Sequence, residues 1–132
     1  MKMLVDSGAL LALLLRNDQH HARAAAFLKA HPDRRFVLTD LILAEVVTRL
    51  RARAGAAEAA RAGRSFLSSR RYEVLFADAR LVASALGRME QFEDKRLSLT
   101  DCVSFEVMDQ LGLRTAFTFD RDFRDCGYEA VP

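Results

Sequence analysis

The sequence has few cysteine, proline and glycine residues, and each shortage excludes a class of protein. Two cysteines, Cys102 and Cys126, are too few for a disulfide scaffold and lack the paired spacing of a zinc site, so we expect reduced, packed thiols. Two prolines and six glycines, set against 51% hydrophobic residues, exclude a disordered tail or linker. We therefore expect an ordered protein of a reducing compartment, the cytoplasm.

Long hydrophobic runs and a strong excess of charge of one sign are also missing. The apolar stretch near the start is too short for a membrane span. Asp6 interrupts it and no small-residue cleavage site follows Leu15, so we expect neither a signal peptide nor membrane association. A formal charge of +2, from 20 basic and 18 acidic residues, only weakly favours polyanionic partners. Charge alone does not identify a substrate.

Short apolar runs alternate with longer helical patterns along the 132 residues, a length that fits one domain spanning 1–132. Strands are predicted at 3–5, 36–38, 72–76 and 115–119, and 128–131 is left open as a fifth, edge strand. Helices are predicted at 9–15, 20–30, 56–69, 77–92 and 98–111, and from a cap at Thr39 or Asp40 through Arg51. Parallel strands need helical crossovers, so the pattern predicts a three-layer α/β/α domain with a central, mostly parallel sheet of four to five strands.

Four acidic residues occupy special positions relative to the predicted strands. Asp6 and Asp120 follow the first and fourth strands directly. Asp101 opens the helix that begins near Ser98, and Glu45 lies early in the helix after the second strand. Ligands of parallel sheets bind beyond the carboxyl ends of the strands, so we expect these four side chains to share one crevice.

Each of these acids also has a purely structural interpretation. Asp6 and Asp120 could cap helices or turns through their carboxylates. Asp101 could form a capping box within its own helix. Glu45 lies past the first helical turn among apolar residues, so capping does not explain it. Its structural alternative is an i,i+4 pair with Arg49, which stabilises a helix only slightly.

A group of converging carboxylates needs a compensating charge. An ionised carboxylate among apolar neighbours is costly to bury unless a cation accompanies it. Either some of the acids stay protonated with raised pKa values, or a divalent metal neutralises them. Ligands that are all oxygen favour Mg²⁺ or Mn²⁺, and such an ion at a sheet edge suits phosphodiester hydrolysis. The residues therefore indicate a metal-dependent nuclease with one or two ions.

Four segments resemble the PIN-domain nucleases, and specifically the VapC-like toxins of bacterial toxin–antitoxin pairs: LVDSGALLALLLRNDQHH, LTDLILAEVVTRL, LSLTDCVSFEVMDQLG and TAFTFDRDFRDCGYE. Together they span nearly the entire chain, and LSLTDCVSF and TFDRDF occur in family-like order and spacing. The resemblance places the acidic quartet of the family on Asp6, Glu45, Asp101 and Asp120, the same four residues. It implies an endoribonuclease that uses Mg²⁺ or Mn²⁺ to activate water for attack on an RNA phosphodiester.

The resemblance also implies partners and supporting residues. It implies a homodimer that is neutralised by a cognate antitoxin lying across the active-site groove, often with a basic residue inserted there. Asp120 would either coordinate the metal or hold a water. We expect Ser7 and Ser104 to orient the ligating carboxylates through their hydroxyls, although Ser7 could instead cap its helix. Asp122 could assist at the same site or be a solvated turn acid.

Other functions are less consistent with the residues. A haloacid-dehalogenase type of enzyme needs a second Asp where Gly8 stands, and a phospho-receiver domain needs adjacent acids after the first strand. A non-catalytic PIN-like binding module would lack a member of the quartet, and none is missing. An RNA-processing nuclease without a toxin role stays open, but the small size favours the toxin.

The remaining polar residues receive weaker predictions. His20, His21 and His31 share no zinc-site spacing with other ligand types, and we expect His20 and His21 to face solvent near a helix start. Arginines around Gly55 could follow RNA phosphates, meet an acidic partner or be a solvated surface; they are Arg49, Arg51, Arg53, Arg61 and Arg64. Antitoxin contacts are predicted on the helical region 41–66.

Overall fold

Five parallel strands form the centre of the protein in a computed structural model that describes all residues from 1 to 132. The strands are β1 Lys2–Val5, β2 Arg35–Thr39, β3 Tyr72–Leu75, β4 Thr115–Phe117 and β5 Glu129–Val131. They lie in the order β3-β2-β1-β4-β5, and every neighbouring pair is parallel. The predicted α/β fold class is confirmed, and the strand that the sequence left open is present at the sheet edge beside β4.

Seven helices connect and cover the strands. They are α1 Ser7–Leu14, α2 His21–Ala30, α3 Asp40–Ala54, α4 Ala56–Ser68, α5 Ala79–Gln91, α6 Leu99–Leu111 and α7 Asp122–Asp125. The six predicted helices are all present. The seventh, α7, is not among the predicted helices, because at four residues it is too short to show a helical period. No helix of the structure has both the length and the apolarity that crossing a lipid bilayer requires.

Local signals in the sequence set where the helices begin and end. Thr39 caps α3, because its hydroxyl accepts the Ile42 N–H at 3.1 Å. Ser98 and Asp101 form a reciprocal capping box at the start of α6. Gly112 ends α6 with φ of 67°, a left-handed conformation that favours glycine. These signals place Asp101 in the first turn of α6.

The order of the strands creates a crevice at one edge of the sheet. From β1 the chain continues to β2 and β3 on one side of β1, and it then returns to place β4 and β5 on the other side. The direction in which strands are added to the sheet therefore reverses between β1 and β4. The register pairs Val5 with Phe117, and the Asp6 N–H donates to the Phe117 carbonyl at 3.0 Å. Asp6 and Thr118 therefore leave the sheet side by side, where ligands of such folds bind.

Candidate active site

Of the four predicted acids, the structure brings Asp101 and Asp120 together in one tight group with Asp122, and Asp6 and Glu45 lie beside that group, near enough for charges to act between them. Asp101, Asp120 and Asp122 place carboxylate oxygens within 4.8 Å of one another, an arrangement that could hold a metal ion. The negative charges of Asp101 and Asp120 both raise the pKa of Asp6. Those of Asp120 and Glu45 raise the pKa of Asp101. We call these five residues the acidic crevice, and Asp122 is the member for which the sequence left two interpretations open.

Asp6 is the deepest acid of the acidic crevice. Its side chain is buried, and burial together with the charge of Asp101 raises its pKa to about 7. Two hydrogen bonds act in the opposite direction: the Ser7 N–H donates at 2.8 Å and the Thr118 hydroxyl at 3.0 Å. Asp6 is thus the N-cap of α1 and also an acid whose pKa lies well above the usual value for a carboxyl group.

Asp101 likewise combines a structural and an electrostatic role. Its carboxylate accepts the Ser98 N–H at 3.2 Å, and its own N–H donates to the Ser98 hydroxyl at 3.0 Å. Burial is the largest cause of its raised pKa, followed among the raising influences by repulsion from Asp120 and Glu45. The capping box that the sequence offered as an alternative is present, and it fixes this carboxylate at the crevice.

Glu45 is held by a contact from outside its own helix. The Ser7 hydroxyl donates to a Glu45 carboxylate oxygen at 3.0 Å, across 38 residues of sequence. The ion pair with Arg49 that would have explained Glu45 structurally is not formed. Ser104 differs from Ser7: its buried hydroxyl donates to the Thr100 carbonyl at 3.0 Å, one turn back in α6, and reaches no carboxylate.

Thr118 is the residue of this site that the sequence analysis missed. Its buried hydroxyl donates to Asp6 at 3.0 Å and accepts the Asp120 N–H at 2.9 Å. Asp120 in turn accepts the Asp122 N–H at 2.9 Å. One hydroxyl therefore joins the acids that follow β1 and β4. A polar residue within the apolar run TAFTF, two residues before an acid, is the signal that could have identified it.

The prediction that His20 faces solvent is wrong. Its ring is half-buried and stacks on Phe119, with centroids 4.3 Å apart and an interplanar angle of 6°. His21 is also engaged, because its Nδ1 lies 2.7 Å from the Ala12 carbonyl oxygen. The segment before α2 folds back over the end of β4, a tertiary contact that no local pattern indicates.

Replacing Thr118 with the isosteric valine is expected to weaken Mn²⁺ binding about 10- to 100-fold, the usual effect of losing a partner that orients a metal-ligating carboxylate. Valine keeps the shape and β preference of threonine but removes the hydrogen bond to Asp6. Isothermal titration with Mn²⁺ measures the effect. Thr115→Val is the matched control, since the Thr115 hydroxyl bonds Glu129 at the other end of β4. Equal affinities for the two variants would contradict the role of Thr118.

Comparisons with known proteins agree on one fold. A family model described as "PIN domain" matches residues 3–127. The structure is similar to that of VapC20 from Mycobacterium tuberculosis, described as a sarcin-ricin loop cleaving toxin, with a TM-score of 0.87 and 28% sequence identity over 96% of this chain and 95% of that chain. No match was found among curated protein sequences.

Two more distant structures share the fold alone. VapBC2 from Rickettsia felis, bound to a DNA fragment from its promoter, gives a TM-score of 0.71 at 13% identity, covering 100% of this chain and 98% of that chain. A toxin–antitoxin complex from Klebsiella pneumoniae gives a TM-score of 0.68 at 13% identity, covering 98% of this chain and 96% of that chain. In each case nearly the whole length of both chains is matched.

Proposed function

We propose that this chain, which belongs to the PIN domain family, is a divalent-metal-dependent endoribonuclease and the toxin of a toxin–antitoxin pair. The observation that carries the proposal is the acidic crevice, in which the charges of Asp101 and Asp120 act on buried Asp6 and no basic side chain forms an ion pair with any of them. The likeness to a toxin that cleaves the sarcin-ricin loop supports RNA as the substrate.

The acidic crevice fits a hard divalent cation. Every candidate donor is a carboxylate oxygen, and three carboxylates already lie within 4.8 Å of one another. Such a donor set favours Mg²⁺ or Mn²⁺ over softer metals. Burial and repulsion between like charges raise the pKa values of Asp6 and Asp101, and a bound cation would offset both effects by favouring the charged carboxylates. We assign Asp6, Glu45, Asp101 and Asp120 as ligands, with Asp122 as an additional candidate.

The surrounding residues hold these carboxylates in place. Ser7 fixes Glu45 through its hydroxyl and Asp6 through its N–H. Thr118 fixes the opposite oxygen of Asp6. Asp120 lies at the half-exposed mouth of the crevice, where it can ligate the ion or orient the attacking water. A bound Mg²⁺ or Mn²⁺ would supply Lewis acidity, which lowers the pKa of water and neutralises phosphate charge.

The assay that tests this function incubates purified protein with single-stranded and structured RNA in the presence of Mn²⁺ or Mg²⁺. Cleavage that stops in chelator and returns when the metal is added back in excess is the expected result. Cleavage that persists in chelator would mean a contaminating nuclease or a different mechanism. RNA that stays intact under all conditions would reject the proposed nuclease function.

The antitoxin is proposed to bind an apolar groove between α1, α3 and α4. The groove has a volume of about 500 Å³, and its lining includes Leu14, Leu50 and Phe66 with Arg61 at the rim. An apolar floor with a charged rim suits an amphipathic helix. The groove overlaps the predicted region 41–66, and similarity to toxin–antitoxin complexes supports a protein occupant.

Ala54→Glu is expected to weaken antitoxin binding at least about 10-fold, because it places a charge in the groove on an exposed helical position. Ala26→Glu, on the exposed face of α2, is the control. Surface plasmon resonance compares the two, and unchanged affinity of Ala54→Glu would exclude the groove as the docking site. The proposal also includes a homodimer, which sedimentation velocity tests, and a cytoplasmic location, which cell fractionation tests.

A further inference from the structure

A second pocket opens beside the acidic crevice at the carboxyl end of β4. It has a volume of about 190 Å³. We call it the basic pocket and define it by His20, Arg23, Phe119, Asp120, Arg121 and Arg124. Asp120 also belongs to the acidic crevice, and Thr118 lines the basic pocket while bonding Asp6. The two cavities are therefore adjacent, with opposite charge and a shared wall.

The three arginines of the basic pocket have no acidic partner in an ion pair. Arg23 donates once to the Pro132 carbonyl at 3.4 Å, and Arg124 once to the Ala130 carbonyl at 3.2 Å. The Arg121 side chain makes no hydrogen bond. A guanidinium group has five N–H donors, so most of the donors remain free. Converging, unpaired guanidinium groups match an anion with several oxygens, above all a phosphate.

An aromatic stack forms another wall of the basic pocket. The His20 ring lies parallel to the Phe119 ring at 4.3 Å, and the Arg23 guanidinium lies 5.4 Å from the Phe119 centroid. The His20 backbone N–H donates to the Asp18 carboxylate at 2.8 Å, which anchors the loop that carries the ring. Unpaired RNA bases stack on aromatic rings, on histidine and on guanidinium planes. A stack and free arginines in one pocket fit a nucleotide better than a simple anion.

We propose that the basic pocket binds the nucleotide next to the scissile phosphate, with its phosphate on Arg121 and Arg124 and its base against the His20–Phe119 stack. The inference rests on the proposed nuclease function and specifies a substrate contact of that same site. Asp120 belongs to both cavities, so a single strand bound in the acidic crevice would have its neighbouring nucleotide at the basic pocket.

The first test removes the phosphate contacts. Arg121→Gln/Arg124→Gln is placed in an Asp101→Asn background, in which RNA is expected to stay uncut, and binding of a short fluorescein-labelled single-stranded RNA is followed by anisotropy. We expect binding to weaken at least about 10-fold, and the slope of log affinity against log salt to become shallower by roughly 0.7 for each lost phosphate contact.

The matched control is Arg70→Gln/Arg114→Gln, which removes the same charge from exposed arginines without ion pairs. Arg70 and Arg114 lie just before β3 and β4, so they are at the amino ends of the parallel strands, opposite the edge that carries the basic pocket. RNA affinity of this control is expected to stay within about twofold of the parent. Equal losses in the two double variants would mean diffuse attraction and would overturn the basic pocket.

The second test addresses the base contact. His20→Ala is expected to weaken RNA binding about 5- to 100-fold, the usual range for loss of one stacked base, and His20→Phe to retain binding. Thermal unfolding by circular dichroism checks that both variants fold. If both variants lose affinity equally, or if neither does, then stacking is not the contact that His20 makes.

These outcomes separate the basic pocket from the nuclease function. RNA cleavage by the wild type, with normal RNA binding by Arg121→Gln/Arg124→Gln, would overturn the basic pocket and leave the nuclease intact. RNA binding that needs these arginines, without any cleavage in Mn²⁺, would support the basic pocket and reject the nuclease function. If the double variant binds RNA normally but loses affinity for the antitoxin, then the pocket holds a protein partner and the inference is wrong.

Discussion

Asp6→Asn and Asp101→Asn are each expected to lower the rate of RNA cleavage on the order of 10³-fold or more, an effect comparable to deleting a key electrostatic group from other active sites. Each change removes one negative charge from the acidic crevice and replaces a metal-binding oxygen with an amide nitrogen. The amide keeps an oxygen that can accept the capping hydrogen bond from the Ser7 N–H, so the fold should persist.

The matched control is Asp94→Asn, an exposed acid in the loop between α5 and α6. It makes the same chemical change outside the acidic crevice, so its cleavage rate in Mn²⁺ should stay within about twofold of the wild type. Gel assays with labelled RNA measure all three variants in parallel. Wild-type rates in Asp6→Asn or Asp101→Asn would reject the acidic crevice as the catalytic centre.

In metal-free protein, Asp6→Asn is expected to be more stable than the wild type at pH 8, by up to about 4 kcal/mol. The folded state raises the Asp6 pKa from 3.8 to about 7, mainly through burial and next through Asp101. A tenfold change in proton affinity between the folded and unfolded states corresponds to about 1.4 kcal/mol. Below pH 3.8 both states are protonated, so the raised pKa has no effect on stability there.

Between pH 3.8 and about 7 the unfolded chain ionises while folded Asp6 keeps its proton, so the wild type loses stability as the pH rises. Above pH 7 the full destabilisation is present. The advantage of Asp6→Asn should therefore grow through this range and level off near pH 8. Urea unfolding in chelator measures it, with Asp94→Asn as control. An advantage that does not change with pH would contradict the raised pKa of Asp6.

Added Mn²⁺ should make the wild type more stable than Asp6→Asn, which reverses the order expected in metal-free protein. An ion that binds only the folded wild type stabilises it in proportion to the logarithm of metal concentration, whereas Asp6→Asn should gain little. If Asp6→Asn is more stable than the wild type without metal and less stable with metal, then the contribution of Asp6 as a helix cap is distinguished from its contribution as a carboxylate of the site. Parallel gains in both proteins would argue that the ion binds elsewhere.

Helices with long, regular patterns and the apolar runs that form the central strands were predictable from the sequence, whereas α7 was not and β5 was left open. β1 and β4 are apolar runs that end at an acid, so both the strands and the positions of Asp6 and Asp120 could be predicted. β5 has three residues and α7 has four, which is too few to establish a period. Thr118 was missed because threonine is a common strand residue, and its two hydrogen bonds depend on the pairing of β4 with β1.

The structural and functional interpretations of the acids turned out to be compatible. Asp6 caps α1 and Asp101 closes a capping box, yet both lie in the acidic crevice. A helix N-terminus attracts negative charge, so capping positions are places where carboxylates can be held rigidly near one another. Sequence patterns could not predict the His20–Phe119 stack, because it joins residues far apart in the chain that share no local signal.

The position of β1 in the middle of the sheet affects when the site can exist during synthesis. Asp6 is translated well before its partner Thr118, which lies 112 residues further along the chain. β4 must emerge from the ribosome and insert beside β1 before the crevice is assembled, and contacts of such long range form late. A nascent chain therefore lacks the complete set of carboxylates until Asp101 and Asp120 have been translated and β4 has paired with β1.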